Sequence, residues 1–214
     1  MDGKEMEKIL NGKKVAVLVE TEYIPEEINF YQSFFSKYGA QVDFLTQLWG
    51  NPERVLVSDI DHEGKSLQKL LVKNEVADAN PNDYAIVLCA ANYVACRLRE
   101  IPPMGSLGDP SLVRSPAAVR FMASAMMNPQ IVKGALCHAL WILTPVPELL
   151  KGRKVICHTV VLADVLNAGG VYVPDTSHVV VDRDLVTGRS AGDLELYGEA
   201  LVATYNKLNN TPMI

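Results

Sequence analysis

Three short apolar runs constrain this chain more than any other feature. Residues 14–19 (KVAVLV), 84–89 (YAIVLC) and 131–136 (IVKGAL) are nearly unbroken by polar residues and rich in valine and isoleucine. Six residues is strand length, and a strand apolar on both faces belongs in a parallel sheet covered on each side by helices. Between the first run and the next, Pro25 opens PEEINFYQSFFSKYG. Ile28, Tyr31, Phe34 and Phe35 recur there at helical spacing, and Gly39 ends the pattern. Residues 41–45 then read as a second strand. Strand–helix–strand is the unit of an α/β fold.

The rest of the chain continues the alternation. Residues 55–60 (VLVSDI) read as a strand, and 64–76 as a short helix or an irregular arm. Residues 92–115 form a long loop, with at most a short helical turn, of the kind that often serves as a functional lid. Pro116 starts a helix (PAAVRFMASAMM). Residues 138–150 read as helical despite Pro145 and Pro147. A strand at 154–157 and a helix at 160–168 follow, closed by Gly169-Gly170. Residues 178–181 and 185–188 flank Asp182-Arg183-Asp184 as a hairpin, and 193–208 form an amphipathic helix. No repeat or linker interrupts the series, so residues 1–214 are expected to form one domain.

Composition narrows the function. A net charge of −5 without any basic block argues against a nucleic-acid partner. The most apolar stretch, around GALCHALWILTPVPELL, is broken by a histidine and two prolines, which argues against a membrane span. The first residues, MDGKEMEKILNGKK, lack the apolar core of a signal peptide. Four cysteines, Cys89, Cys96, Cys137 and Cys157, are too few for a disulfide scaffold and suit a reducing compartment. The expectation is a soluble, cytoplasmic protein.

Cys137 is the residue that carries chemistry. It stands where the apolar strand IVKGAL gives way to the following helix. In open α/β sheets, ligands bind beyond the carboxyl ends of strands. N–H groups at such a junction can stabilise a thiolate or an oxyanion, which is expected to lower the thiol pKa. Gly134 and Ala135 allow the close backbone packing of a nucleophile elbow. The plainer reading is a buried cysteine acting as a small hydrophobe.

The ordered segments AIVLC, GALCHALWIL, ELLKGRKV, VLNAGGVYV, VVVDRDLVTGR and AGDLELYGEALV resemble the DJ-1/PfpI (ThiJ/PfpI) superfamily. The resemblance runs from Lys14 to about Leu208. It implies a flavodoxin-like three-layer α/β sandwich with a mainly parallel central sheet, assembled as a homodimer or a larger homo-oligomer. Cys137 matches the family's oxidation-sensitive nucleophile. Glu27 matches the glutamate that hydrogen-bonds it, with Tyr23 four positions earlier and with Glu22 and Glu26 as competitors. His138 matches the residue whose N–H lines the oxyanion site, and His158 a position that faces the cysteine. Where many members have Pro-Gly-Gly, this chain has Cys89-Ala90-Ala91. The N–H of Ala91, beside Ala90, would serve the substrate oxyanion there. Val94-Ala95-Cys96-Arg97 lacks the acid that some relatives carry, and Cys-His-Gly is Cys-His-Ala here.

Other chemistries find little support. No histidine is followed two residues later by glutamate, as a glutamine amidotransferase requires. Cys137, His138, Cys157 and His158 do not have zinc-ligand spacing, and no phosphate-binding glycine motif occurs, so neither metal nor cofactor is expected. His62 reads as a solvated loop residue. Arg97, Arg99, Arg114 and Arg120 are ordinary surface charges unless one or two face Cys137. Arg189 is the expected partner of Asp193. Two functions follow. One is a cysteine-dependent enzyme acting on a small carbonyl (glyoxalase or deglycase type) or on an amide or peptide (hydrolase type), with Glu27 or His158 moving protons. The other is a redox sensor in which Cys137 is oxidised.

Overall fold

The computed structural model describes residues 9–59, 67–105, 107–174 and 178–210. His62 and residues 60–66 of the 55–76 stretch lie outside the described residues. The strands are β1 (Lys14–Leu18), β2 (Gln41–Thr46), β3 (Arg54–Val57), β4 (Lys69–Val72), β5 (Asn74–Glu75), β6 (Ile86–Cys89), β7 (Val132–Leu136), β8 (Lys154–Val155), β9 (Val171–Tyr172), β10 (Val179–Asp182) and β11 (Leu185–Gly188). The α-helices are α1 (Pro25–Lys37), α2 (Val94–Leu98), α3 (Ala117–Met127), α4 (Thr159–Asn167) and α5 (Leu194–Asn210).

Seven strands form one sheet in the order β10-β11-β7-β6-β1-β2-β5. Only β10, paired with β11 through a hairpin, runs antiparallel. The three apolar runs are the adjacent central strands β1, β6 and β7, and β6 and β7 are buried along their whole length. Helices flank the sheet, so the flavodoxin-like α/β architecture expected from the sequence is the one observed. Helices α1 and α5 pack together, and α5 also lies on β7 and β11. Gly134 in β7 permits that contact: a Cβ there would collide with the Tyr197 hydroxyl of α5 and with Leu88. Two further two-stranded sheets, β3–β4 and β8–β9, stand apart from the main sheet.

Two expectations need correction. Residues 138–150 are not an α-helix but two short 3₁₀ segments, Ala139–Leu143 and Pro147–Leu149. Pro145 and Pro147 have no N–H to give to an α-helical ladder. Residues 69–72 are a strand rather than a helix, since β4 pairs antiparallel with β3. Within 92–115, five residues form the helix α2 and Pro110–Leu112 a 3₁₀ turn. No helix among the described residues is long and apolar enough to cross a membrane.

Candidate active site

Cys137 sits immediately after β7, at the carboxyl end of the sheet, with φ +59°. Side chains with a Cβ are strained there, and such strain is typical of a nucleophile elbow. Its backbone is pinned on both sides. The Cys137 N–H donates to the Gly188 carbonyl at 2.9 Å, and the His158 N–H donates to the Cys137 carbonyl at 3.1 Å. The residue is 9% exposed. The backbone N–H groups of Asn92 and His138 lie close enough to the sulfur to favour its thiolate.

The acid at the site is Glu27, in the first turn of α1 and wholly buried. Its competitors face elsewhere: Glu22 pairs with Arg97 at 2.7 Å, and Glu26 is exposed. The Tyr31 hydroxyl donates to Glu27 Oε1 at 2.6 Å, and the Ala91 N–H spans both carboxylate oxygens at 3.1 and 2.9 Å. Burial outweighs these neutral donors and pushes the carboxyl up to about 7. Tyr23 packs in the core instead, so Tyr31 is the aromatic partner of the acid.

Cys137 departs from the expected direction. Burial, then the Glu27 charge, push the thiol up to about 11, against the opposing pull of the Asn92 and His138 N–H groups. The elbow geometry is present, but the two nearby N–H groups do not offset desolvation beside a carboxylate.

The oxyanion expectation also shifts by one residue. The Ala90 N–H donates to the Leu18 carbonyl at 3.0 Å, and the Ala91 N–H is held by Glu27, so neither is open to a substrate. The Asn92 backbone N–H, rather than that of Ala91, lies beside the Cys137 sulfur. Asn92 has φ +60°, and its side-chain amide is tied to the Glu22 carbonyl at 2.9 Å and to Asp59 Oδ2 at 2.7 Å. Asparagine tolerates positive φ better than most residues, so Asn92 after Ala90-Ala91 is the signal that could have found it.

His138 and His158 both come to the site. The His138 ring is buried, and neither ring nitrogen has a hydrogen-bond partner among the described residues. The nearby Asn92 backbone weakly favours the protonated ring without meeting hydrogen-bond geometry. Burial, then the neighbouring His158, hold the His138 pKa below the usual histidine value, so the ring is neutral at pH 7. Around it stand His158, Trp141 and Tyr93, with ring centroids at 4.8, 5.3 and 5.5 Å. His158 caps α4: its Nδ1 accepts the Val160 N–H at 3.2 Å, leaving Nε2 to carry the proton of the neutral ring.

Sequence reasoning missed Asn92, Tyr31 and the aromatic wall of Tyr93 and Trp141. Asp193 lies in the first helical turn and caps it with Ser190, whose Oγ donates to it at 2.7 Å, but its further partner is His178 Nδ1 at 3.1 Å rather than Arg189, which approaches His178. No arginine is among the leading influences on Cys137. All four cysteines are free; Cys89 and Cys157 are buried, and Cys96 is partly exposed. Among the described residues, no three histidine, cysteine or acidic side chains are grouped to hold a metal ion.

An α/β sheet that ends in a strained cysteine, backed by two N–H donors and a buried glutamate, defines the cysteine-elbow class of α/β proteins. The model of the DJ-1/PfpI family matches residues 103–204. The chain is 26% identical to an uncharacterized protein of Staphylococcus haemolyticus, over 89% of this chain and 96% of that one. It is 23% identical to the Bacillus subtilis protein named "Putative cysteine protease YraA", over 87% of this chain and 94% of that one. Among solved structures, a two-domain protein from Anabaena variabilis, with DJ-1/ThiJ/PfpI-like and ferritin-like domains, superposes with a TM-score of 0.74 at 22% identity. That match covers 94% of this chain and half the length of the Anabaena protein. Schizosaccharomyces pombe DJ-1 superposes with a TM-score of 0.65 at 17% identity, over 93% of this chain and 100% of that one. Over residues 103–204 the chain is similar to the DJ-1/PfpI family, and its fold is that of the DJ-1 and ThiJ/PfpI structures.

Proposed function

We propose that this protein is a cysteine-dependent enzyme in which Cys137 attacks a small carbonyl or amide substrate. The observation that carries the reading is the Cys137 sulfur at a strained elbow, faced by the N–H groups of Asn92 and His138. The thiol proton passes to Glu27, whose carboxyl near 7 is matched to neutral operation. That transfer leaves one negative charge on the pair, so of the two causes that raise the thiol pKa, burial and the Glu27 charge, the second is relieved as the thiolate forms. Sulfur then bonds to the carbonyl carbon, and the C=O π pair moves to oxygen, where the two N–H donors receive it. His158, with its Nε2 proton, is the second proton carrier.

The 9% exposure of Cys137 favours a small aldehyde over a peptide chain. The test is consumption of glyoxal by the intact protein and by Cys137→Ser. We expect turnover that Cys137→Ser abolishes. Turnover that survives the substitution overturns the mechanism.

A further inference from the structure

A second cavity lies on the other side of Tyr93. It encloses about 1000 Å³ between α2, the loop that follows it and the turn around Pro145. Tyr93 is the shared wall, because it lines this cavity and also faces the His138 ring. Three arginines line the space, Arg97, Arg99 and Arg114. Arg97 is paired with Glu22 at 2.7 Å, and Arg114 forms a two-pronged pair with Glu148 at 2.7 and 3.0 Å.

Arg99 differs. It is partly buried, and its Nη1 donates to two neutral oxygens, the Trp141 carbonyl at 3.2 Å and Thr144 Oγ1 at 2.7 Å. Burial raises the Cys96 thiol pKa, and Arg99 opposes that shift. Among the described residues no carboxylate pairs with it. The cavity's other acid, Glu100, accepts the Gly105 N–H at 2.8 Å. A partly desolvated guanidinium without a counter-ion, at the wall of a cavity, is completed by an oxyanion, and its planar fork matches a carboxylate. The remaining lining supplies apolar surface from Ile101, Val113, Pro145 and Pro147. Large pockets with apolar walls and a few polar groups are the usual form of small-molecule sites.

We propose that this cavity binds a small organic carboxylate, its anion on Arg99 and its hydrocarbon body against Ile101, Val113 and the two prolines. The site is separate from Cys137 and does not depend on the chemistry assigned there.

The experiment is a titration of the whole protein with hexanoate, followed by amide NMR. Saturable shifts are expected at Cys96, Arg99, Ile101 and Thr144. Arg99→Gln should weaken binding at least about tenfold, a typical loss when a charged partner is removed. Arg99→Lys keeps the charge without the fork and should fall between. Hexanol, which has the chain without the anion, tests the same point on the unaltered protein and should bind at least about tenfold more weakly. Absence of saturable shifts at these residues overturns the proposal. So does hexanol or Arg99→Gln binding within about threefold of hexanoate on the unaltered protein, or inorganic phosphate binding as well as hexanoate. Cys137→Ser should bind hexanoate unchanged. Loss of glyoxal turnover therefore bears on the proposed reaction alone, and loss of hexanoate binding on the Arg99 site alone.

Discussion

The two ends of β7 handle buried charge in opposite ways. At the amino end, Lys133 is fully buried and its ammonium meets Asp184 and the Asn128 carbonyl. Asp184 is held in turn by Arg153 at 2.8 Å, and Arg153 reaches Asp182 at 2.8 Å. Every charge there has an opposite charge beside it. At the carboxyl end, Glu27 is just as buried, yet its hydrogen-bond partners are a phenol and a backbone N–H. Burial lowers the Lys133 pKa, with Asp184 opposing the shift. Burial raises Glu27 to about 7, with only neutral donors opposing it. A buried charge with a counter-charge is scaffold, whereas one held by neutral dipoles remains able to exchange a proton near neutral pH.

The sharpest way to break this comparison is Asp184→Asn. It leaves Lys133 buried without its carboxylate, and uncompensated buried charges typically cost about 3–5 kcal/mol. Urea unfolding should show that loss, while the folded fraction keeps its Cys137 alkylation rate. A loss below about 1 kcal/mol would mean that the two ends do not differ as described.

Next in size is Glu27→Gln, which keeps an acceptor for Tyr31 and Ala91. The folded pKa of Glu27, about 7, lies above its ordinary value of 4.5, so the folded state holds the proton more tightly than the unfolded chain does. The wild-type protein therefore loses stability from this group as pH rises from 4.5 to about 7, by about 3 kcal/mol in all, with no further loss above. Glu27→Gln should be nearly neutral at pH 4.5 and more stable than wild type by about that amount at pH 8. Removing the charge should also speed iodoacetamide labelling of Cys137 at pH 8, at about tenfold per unit by which the thiol pKa falls. Equal stability differences at both pH values would show that Glu27 carries no such strain.

The smallest effect is expected at Asn92. Alanine at φ +60° loses the side-chain bonds to Glu22 and Asp59 and should cost about 1–2 kcal/mol. Asn92→Gly fits that backbone and should retain Cys137 labelling better than Asn92→Ala. Labelling that does not distinguish the two variants would remove Asn92 from the site.

The sequence revealed the scaffold more clearly than the site. The runs KVAVLV, YAIVLC and IVKGAL were legible because a strand buried on both faces needs little but apolar residues. Cys137 was legible from its place after such a strand. The segment after it was misread because apolar content suggested a helix, while Pro145 and Pro147 lack the donors an α-helical ladder needs. Ala91 was named and Asn92 went unnoticed because a motif does not say which N–H a tertiary fold leaves free. The direction of the Cys137 shift depends on how deeply Glu27 is buried, a property of α1 packing on the sheet that no local motif encodes. His138, by contrast, was placed correctly, but its unpartnered ring emerged only from the way Tyr93, Trp141 and His158 surround it.

The two backbone hydrogen bonds that pin Cys137, to Gly188 and from His158, also have a consequence in time. A peptide held on both sides is not released by local fraying; the strand neighbours must part first. Amide exchange at Cys137 and His158 should then track the opening of the central sheet rather than the motions of the surrounding turns. The backbone position of the elbow is set once, when β7 and β11 join.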